Sequence, residues 1–349
     1  MSCINNHEEK NMKRLRTPLS LLVVIICFGT FGNIEAEELH ESYPPMQQAL
    51  HAMISDEDVT VREQTVDEWG EEENFFFAFE PTNVNPTVGF IFYPGAFLDP
   101  RSYAPPMHSI AAQGYLTVIV KMPRDLAVLG HTRAHQIIET YTGIERWIIG
   151  GHSIGGSFAC AYAKEFTDKL DGVVLWASWP SETFRLDGTD LKAISIYGTK
   201  DGKPAEIEGG SEHLPADAQF VKIEGGNHTQ FGWYDTSPEP TQEGDNPADI
   251  TREAQQEIII DATEGFLEQF STSSCPIELL YGQHSREVTV LKKFRDSVLR
   301  KTIIGKQVIT LYYELSPSVV KFISNNKYLR IEAQKLFDLF FPWICKAVE

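Results

Sequence analysis

The chain has 349 residues, of which 42% are hydrophobic and 11% aromatic, a composition typical of a globular protein and not of a disordered or fibrous one. The formal net charge is −19: residues 271–349 carry +5 and residues 1–36 carry +1, which leaves −25 on residues 37–270. An acidic body argues against a nucleic-acid binder, which needs positive charge on its main domain.

The first 36 residues have the order of a secretory signal. A basic cluster at 13–16 precedes an apolar stretch from Leu19 to Ile34, and Ala36 offers a small residue for cleavage. Two glycines interrupt the stretch, which is shorter than the roughly 20 apolar residues of a membrane span. We expect a signal peptide over 1–36 and an exported protein, periplasmic or extracellular. An uncleaved N-terminal anchor is the alternative.

Cysteine usage gives little evidence of a disulfide framework or a metal site. Cys3 and Cys27 would leave with the signal, and the remaining three allow at most one intrachain disulfide. Cys160 lies on the apolar side of a predicted helix, which indicates a buried small hydrophobe. A Cys275–Cys345 bridge is an alternative reading of the other two. No Cys/His spacing resembles a zinc site, so we expect no metal and no cofactor.

After a polar lead-in over 37–56, strand-like and helix-like segments alternate along the chain. Residues 59–66 and 75–80 predict an antiparallel pair. Further strands are predicted over 88–95, 115–122, 146–150, 171–178, 193–198 and 220–225, and helices over 103–113, 132–142, 154–166 and 250–270. Short apolar strands that alternate with helices predict an α/β fold whose mostly parallel sheet is covered on both faces. The Pro- and Glu-rich segment 236–249 is predicted to be a surface loop.

The segment Gly151-His152-Ser153-Ile154-Gly155 matches G-x-S-x-G between a predicted strand and a predicted helix. A sharp turn at this place strains the backbone of the serine and displays its hydroxyl. Glycines on either side avoid clashes where the strand and the helix approach each other. The context favours a nucleophile elbow over an ordinary serine in a Gly-rich turn.

Partners for the serine follow two later strands. A serine hydroxyl needs a base to take its proton, and the base needs a carboxylate to orient it. Asp201 comes after the strand at 193–198 and His228 after the strand at 220–225, which is the chain order Ser, acid, His of this architecture. Taken singly, Asp201 is also explained as a turn residue and His228 as a loop histidine. Their joint order favours a catalytic triad.

An oxyanion that develops during acyl transfer needs preorganised N–H donors. Ile154 follows the serine at a helix N-terminus and is expected to supply one donor. The segment 93–97, YPGAF, follows the strand at 88–95 and is expected to supply the second through Ala96 or Phe97. A plain Pro-Gly turn is the alternative for that segment.

Segments at the strand ends carry a resemblance to a known family. They are FYPGAFLDPRSYAP, IVKMPRDLAVLG, ERWIIGGHSIGGSFACAYA, DGVVLWASWP, ISIYGTKDG and IEGGNHTQFGWY. Together they resemble the dienelactone-hydrolase-related subgroup of bacterial α/β-hydrolases over roughly residues 59–270. The resemblance implies that Ser153 is the nucleophile, His228 the general base and Asp201 its orienting acid. It names no substrate, because many members of the subgroup are known only as predicted hydrolases.

Residues that would contact a substrate are predicted on the same edge of the sheet. Only the segment WPSETFRLDGTDLK separates the strands at 171–178 and 193–198, so we expect no large lid and an open site. Apolar lining is expected from Phe97, Met122, Trp179, Phe184, Phe231 and Trp233. Arg101 and Arg124 would bind a substrate carboxylate. Ordinary packing and solvated surface arginines are the alternatives.

The chain changes character from Cys275 onward. The tail is basic and has apolar residues at helix spacing, Val288, Leu291, Phe294 and Val298. It resembles the CFI-box found at the C-termini of exported bacterial proteins, although Pro276 stands where that box has an aromatic residue. We expect a hydrolase domain over 37–270 and a small all-α module over 271–349. The module either packs on the body or acts as a basic amphipathic surface for an anionic membrane, envelope or partner.

These features predict a metal-independent serine hydrolase that cleaves a small-molecule carboxylic ester or thioester through an acyl-serine intermediate. An acyltransferase with the same triad is one alternative. A non-catalytic envelope-associated scaffold that acts through its C-terminal module is another. Neither the acyl chain length nor the oligomeric state follows from the sequence.

Overall fold

The computed structural model describes residues 42–67, 72–236, 244–271, 275–282, 285–324 and 326–348. The predicted signal peptide, with Cys3 and Cys27, lies outside these ranges, as do residues 237–243 of the predicted surface loop.

In the described part of the chain, eight strands form one sheet in the order β1-β2-β4-β3-β5-β6-β7-β8. The strands are β1 (Val59–Asp67), β2 (Glu72–Pro81), β3 (Val88–Tyr93), β4 (Leu116–Val120), β5 (Arg146–His152), β6 (Gly172–Trp176), β7 (Lys192–Gly198) and β8 (Gln219–Ile223). Strand β2 pairs antiparallel with β1 and β4, and every other neighbouring pair is parallel. The predicted antiparallel pair and the mostly parallel sheet are confirmed.

The central strands are buried along their length because helices cover both faces of the sheet. All six residues of β3 are buried, and successive side chains enter opposite apolar layers. Ile91 and Tyr93 lie in one layer, whereas Phe90 and Phe92 lie in the other. Unbroken apolar runs, not alternating ones, are therefore the sequence pattern of the central strands.

Among the described residues of the body, the helices are α1 (Gln47–His51), α2 (Ala104–Ala112), α3 (Ala134–Thr140), α4 (Ile154–Glu165), α5 (Pro204–Gly209) and α6 (Arg252–Leu267). Helices α3 and α4 pack in one apolar layer, and α2 and α6 in the other, which confirms helices on both faces. Cys160 on α4 is a fully buried free thiol, as predicted. Residues 177–191, between β6 and β7, hold one short 3-10 turn, Glu182–Phe184, in agreement with the expected absence of a lid.

The C-terminal region is helical, with α7 (Pro276–Tyr281), α8 (Arg286–Ser297), α9 (Ile303–Ser324) and α10 (Lys327–Val348). Two ion pairs join it to the body, Arg300 to Asp58 at 2.8 Å and Lys306 to Glu57 at 2.5 Å. No disulfide joins Cys275 and Cys345 in this structure, so that alternative is not realised. Within the described ranges, no helix combines the length and the apolarity that crossing a membrane requires.

Candidate active site

Ser153 occupies a sharp bend between the end of β5 and the start of α4. Its backbone is at φ 55° and ψ −128°, a region that residues with a side chain rarely adopt. Two hydrogen bonds hold the bend: Ser153 N–H donates to the carbonyl of Trp176 (3.0 Å), and its carbonyl accepts from Ser178 Oγ (2.6 Å). The side chain is partly exposed, as the displayed hydroxyl of an elbow must be.

Two glycines let the strand and the helix meet at this bend. A Cβ on Gly151 would lie 2.6 Å from the backbone of Gly155 and Gly156. A Cβ on Gly155 would overlap the carbonyl oxygens of Tyr93 and Pro94. The backbone of α4 therefore lies directly against the end of β3, which is the steric reason for glycine on both sides of the serine.

Asp201 and His228 lie side by side in the loops after β7 and β8. His228 Nδ1 is 2.8 Å from Asp201 Oδ2, and the two side chains are 2% and 0% exposed. The carboxylate holds the imidazole with its proton on Nδ1, which leaves Nε2 as the basic nitrogen. The other carboxylate oxygen accepts the N–H of Lys203 at 2.8 Å, which fixes the orientation of Asp201.

Asp245 anchors the loop that carries His228. One of its carboxylate oxygens accepts the N–H of His228 at 2.8 Å, and the other accepts the N–H and the hydroxyl of Thr229 at 3.0 and 2.6 Å. Gln255 on α6 holds the preceding residue, since its amide accepts the Asn227 N–H at 2.9 Å and donates to the Asn227 carbonyl at 2.8 Å. Side-chain hydrogen bonds therefore fix the backbone of the His228 loop, at His228 and at the residues on either side of it.

His152, next to the nucleophile, links the elbow to the other loops. Its ring lies 4.5 Å from the ring of His228 and stacks on Phe231 at 5.5 Å with an angle of 12° between the planes. Burial, together with the adjacent His228, holds the pKa of His152 well below its usual range, so the ring is neutral. Tyr103 Oη accepts the N–H of Gly95 at 3.1 Å and is hydrogen-bonded to His152 Nδ1 at 2.8 Å. Tyr103 thereby ties the loop after β3 to the elbow.

The two predicted sources of oxyanion donors lie beside the elbow. Ile154 is the first residue of α4, where backbone N–H groups have no acceptor within the helix. In the loop after β3, Phe97 has φ 58° and its N–H donates to the carbonyl of Asp125 at 3.0 Å. The Phe97 N–H is therefore not available to an oxyanion in this structure. Of the two alternatives for the second donor, Ala96 stays the prediction.

The predicted substrate-binding residues divide into three groups. Met122, Phe231 and Trp233 are at most 8% exposed and lie in the protein interior, which favours packing over pocket lining. Phe97, Trp179 and Phe184 are half-buried and remain candidates for an apolar lining. Arg101 makes two bonds to Asp99, at 2.9 and 2.5 Å, so its guanidinium is already occupied by a carboxylate of the protein itself. Arg124 is exposed, with its backbone at φ 53°.

Three residues of this site were not predicted from the sequence: Asp245, Tyr103 and Gln255. The composition of 236–249 predicts a surface loop, but Asp245 turns a half-buried carboxylate toward the His228 loop. The Asp-Asn-Pro sequence next to a helix start indicates a turn, yet nothing in it points to a partner seventeen residues earlier in the chain. The sequence gives no local signal for the role of Tyr103 either, because this residue occupies an apolar position of a predicted helix.

A family model matches part of this chain. A family model described as "Alpha/beta hydrolase family" matches residues 89–257, a range that contains Ser153, Asp201 and His228. No curated protein sequence matches the chain.

Solved structures of similar proteins share low sequence identity with this chain. A dienelactone hydrolase from Anabaena variabilis is 13% identical and covers 61% of this chain and 98% of its own, with a TM-score of 0.47. A monoglyceride lipase from Saccharomyces cerevisiae is 10% identical, with coverages of 63% and 98% and a TM-score of 0.46. A thermostable esterase from Pseudomonas putida is 15% identical, with coverages of 60% and 84% and a TM-score of 0.41.

The sheet order and the family match lead to one conclusion about architecture. A mixed sheet that is antiparallel only where β2 meets β1 and β4, and whose parallel strands carry the Ser, Asp and His loops at their ends, is the arrangement expected from the resemblance. The chain has the α/β-hydrolase fold, with a helical C-terminal region added to it.

Proposed function

We propose that this protein is a serine hydrolase that cleaves a carboxylic ester or thioester through an acyl intermediate on Ser153. The buried contact of 2.8 Å between His228 Nδ1 and Asp201 Oδ2 carries the proposal. An imidazole oriented by a buried carboxylate, at the sheet edge where a strained serine is displayed, is the machinery of nucleophilic acyl transfer.

In the first half-reaction, His228 Nε2 takes the hydroxyl proton of Ser153 while Oγ attacks the carbonyl carbon of the ester. Asp201 stabilises the imidazolium that forms and keeps the ring in the productive orientation. The tetrahedral intermediate collapses, and His228 returns the proton to the departing alcohol or thiol. In the second half-reaction, water attacks the acyl-serine and His228 Nε2 accepts its proton. The tetrahedral intermediate then collapses, His228 returns that proton to Ser153 Oγ, and the carboxylic acid leaves.

Negative charge develops on the carbonyl oxygen of the substrate in both half-reactions. The N–H of Ile154 at the start of α4, together with the N–H of Ala96, would stabilise this oxyanion. Removing one such donor typically lowers kcat by about 10²–10³. Tyr103 stabilises the loop that carries Ala96, because its hydroxyl accepts the N–H of Gly95.

The surroundings of Ser153 favour a substrate that enters from an open edge. Residues 177–191 contribute one 3-10 turn and no covering helix, and the half-buried side chains of Phe97, Trp179 and Phe184 provide an apolar surface nearby. Because Arg101 is bound to Asp99, a substrate carboxylate would lack that guanidinium as a partner. A neutral ester with an apolar acyl or alcohol group fits these features best.

Hydrolysis of nitrophenyl esters from acetate to palmitate tests the proposal. The chain from residue 37 would be compared with Ser153→Ala and with the control Ser109→Ala, an exposed serine on α2. We expect turnover, and labelling by a fluorophosphonate, in the wild type and in Ser109→Ala but not in Ser153→Ala. If the wild type shows neither turnover nor labelling, the enzyme proposal fails. Nitrophenol release that requires an added alcohol would instead favour the acyltransferase alternative.

A further inference from the structure

The exposed large apolar side chains of this protein are concentrated in its C-terminal helices. Of eighteen such residues in the described ranges, fourteen lie between Ile303 and Trp343. The body therefore has an ordinary polar surface, whereas α9 and α10 leave apolar area open to solvent. Soluble proteins rarely expose apolar groups in this way without a binding role.

Six of these residues form one stripe along α9. They are Ile304, Val308, Leu311, Leu315, Val319 and Phe322, which are between 40% and 74% exposed. At 100° per residue they fall within about 80° of the helix circumference. A different side of α9 is covered, because Ile309, Ser316 and Ile323, spaced by seven residues, are buried. Helix α9 is thus apolar on an inner side that is already packed and on this outer stripe.

Charge and side-chain type identify what would cover the stripe. The tail carries +5, and its exposed basic residues include Lys292, Lys293, Lys301, Lys335 and Lys346. A second copy would bring an equally basic tail against this one, so like charges disfavour self-association. Anionic lipid headgroups complement the lysines, and acyl chains complement a stripe of aliphatic side chains and one phenylalanine.

Aromatic residues on α10 support the same occupant. Tyr328 and Trp343 are 73% and 76% exposed, and Phe340 is 59% exposed. Tyrosine and tryptophan have an apolar ring and a polar group, and they are enriched where a membrane meets water. We propose that the α9 stripe and these α10 aromatics bind the surface of an anionic lipid membrane.

The position of the tail sets the orientation of the bound protein. Asp58 and Glu57, the partners of the tail's Arg300 and Lys306, directly precede β1. Val59 pairs with Pro81, at the end of β2 that lies beside the start of β4. A cavity of about 1020 Å³ separates the tail helices from the sheet, and its sheet side is lined by residues at the starts of β3, β4 and β5, namely Thr87, Val88, Tyr115 and Glu145. The tail therefore lies at the edge where the parallel strands begin.

Ser153 lies at the opposite edge. Strand β5 has seven residues between the tail side and the elbow, which separates the two edges by about 20 Å. The acidic body, at −25, is also repelled by an anionic surface, whereas the tail is attracted. The membrane-bound enzyme thus presents Ser153 to the solution and acts on soluble esters, not on the lipids of the bilayer that holds it. This second part rests on the proposed function.

Flotation with vesicles tests the binding surface. The chain from residue 37, which contains every described residue, would be mixed with phosphatidylcholine vesicles that hold about 30% phosphatidylglycerol. The double variant Leu311→Glu, Leu315→Glu is compared with Ile258→Glu, a 39% exposed isoleucine on α6 of the body. We expect the vesicle partition coefficient to fall at least about tenfold in the double variant. In the control it should change less than about twofold.

Each further outcome decides one part of the proposal. Equal flotation of the double variant and the wild type overturns the stripe as the binding surface. Light scattering tests the alternative of self-association. If the wild type does not bind vesicles and is a dimer, and the double variant is a monomer, the stripe binds a second copy and the proposal is overturned. Ser153→Ala must float like the wild type, which separates binding from the proposed activity. Faster hydrolysis of an ester lipid in the same vesicles than of a soluble nitrophenyl ester overturns the orientation.

Discussion

Replacing Asp245 with alanine is expected to cost both stability and catalysis. The carboxylate accepts the N–H groups of His228 and Thr229, at 2.8 and 3.0 Å, and the Thr229 hydroxyl at 2.6 Å. His228 and Thr229 are 2% and 8% exposed, so water cannot readily replace the lost acceptor. A buried N–H without a partner costs about 1–3 kcal/mol. Two such groups predict a loss of roughly 2–6 kcal/mol in the free energy of unfolding.

The catalytic effect follows from the same contacts. Without Asp245, the His228 loop loses the bond at its own backbone N–H, and the imidazole can shift relative to Ser153. A misplacement of about 1 Å can cost roughly 10²-fold in rate, so we expect kcat to fall by about that factor. Since Asp245 is expected to lie outside the acyl pocket, KM should change little.

Urea denaturation followed by circular dichroism, and nitrophenyl acetate kinetics, measure the two effects. Asp249→Ala is the matched control, because this exposed carboxylate in the same segment pairs with Lys200 at 2.9 Å. An exposed ion pair contributes about 0–1 kcal/mol. If Asp245→Ala matches Asp249→Ala in both stability and kcat, the carboxylate does not hold the His228 loop and the reasoning is refuted.

Three further changes test other parts of the structure. Gly155→Ala should destabilise the protein by about 2–3 kcal/mol, because the new Cβ meets the carbonyl oxygens of Tyr93 and Pro94 at the end of β3. The control Gly188→Ala, which places a Cβ in open space, should have little effect. Equal urea midpoints of the two variants would contradict the packing at the elbow. Tyr103→Phe removes the bond to His152 and should lower kcat more than it changes KM, and unchanged kinetics would show that this link is unimportant. Burial raises the pKa of Glu264 from 4.5 to about 7. The contribution of this carboxyl group to the stability of the folded state is therefore present at low pH and is lost as the pH rises through about 7. The urea midpoint of the wild type relative to Glu264→Gln should therefore decline between pH 4.5 and 7, and parallel pH profiles of the two proteins would refute it.

Much of the architecture follows from local pattern. The apolar run of β3 is buried on both faces, and such a run bounded by turn residues predicts a parallel strand in a covered sheet. The elbow was predictable because a serine between glycines, after a strand and before a helix, has a steric reason to be there. Asp201 and His228 were predictable because each follows a strand whose carboxyl end reaches the same edge, and the structure brings those two side chains to 2.8 Å.

The roles of side chains that depend on a specific neighbour do not follow from the local pattern. Met122 was expected to line a pocket, yet it packs in the apolar layer and is 3% exposed. Arg101 was expected to bind substrate, yet Asp99, two residues away, holds its guanidinium. Composition and spacing describe what a side chain is able to do, whereas its partner depends on which surfaces the fold brings together.

Local sequence pattern is enough to predict the order of strands and helices, the strained serine and the chain order of the candidate triad, because periodicity, turn residues and glycine sterics act over a few residues. Tertiary structure alone decided that Asp245 supports His228, that Tyr103 joins the elbow to the loop after β3, and that the Phe97 N–H is already bonded. It also decided that the tail lies at the edge of the sheet opposite Ser153, with one apolar side of α9 left open. Those contacts join residues far apart in the chain, and only the packing of the whole sheet brings them within hydrogen-bonding or van der Waals distance.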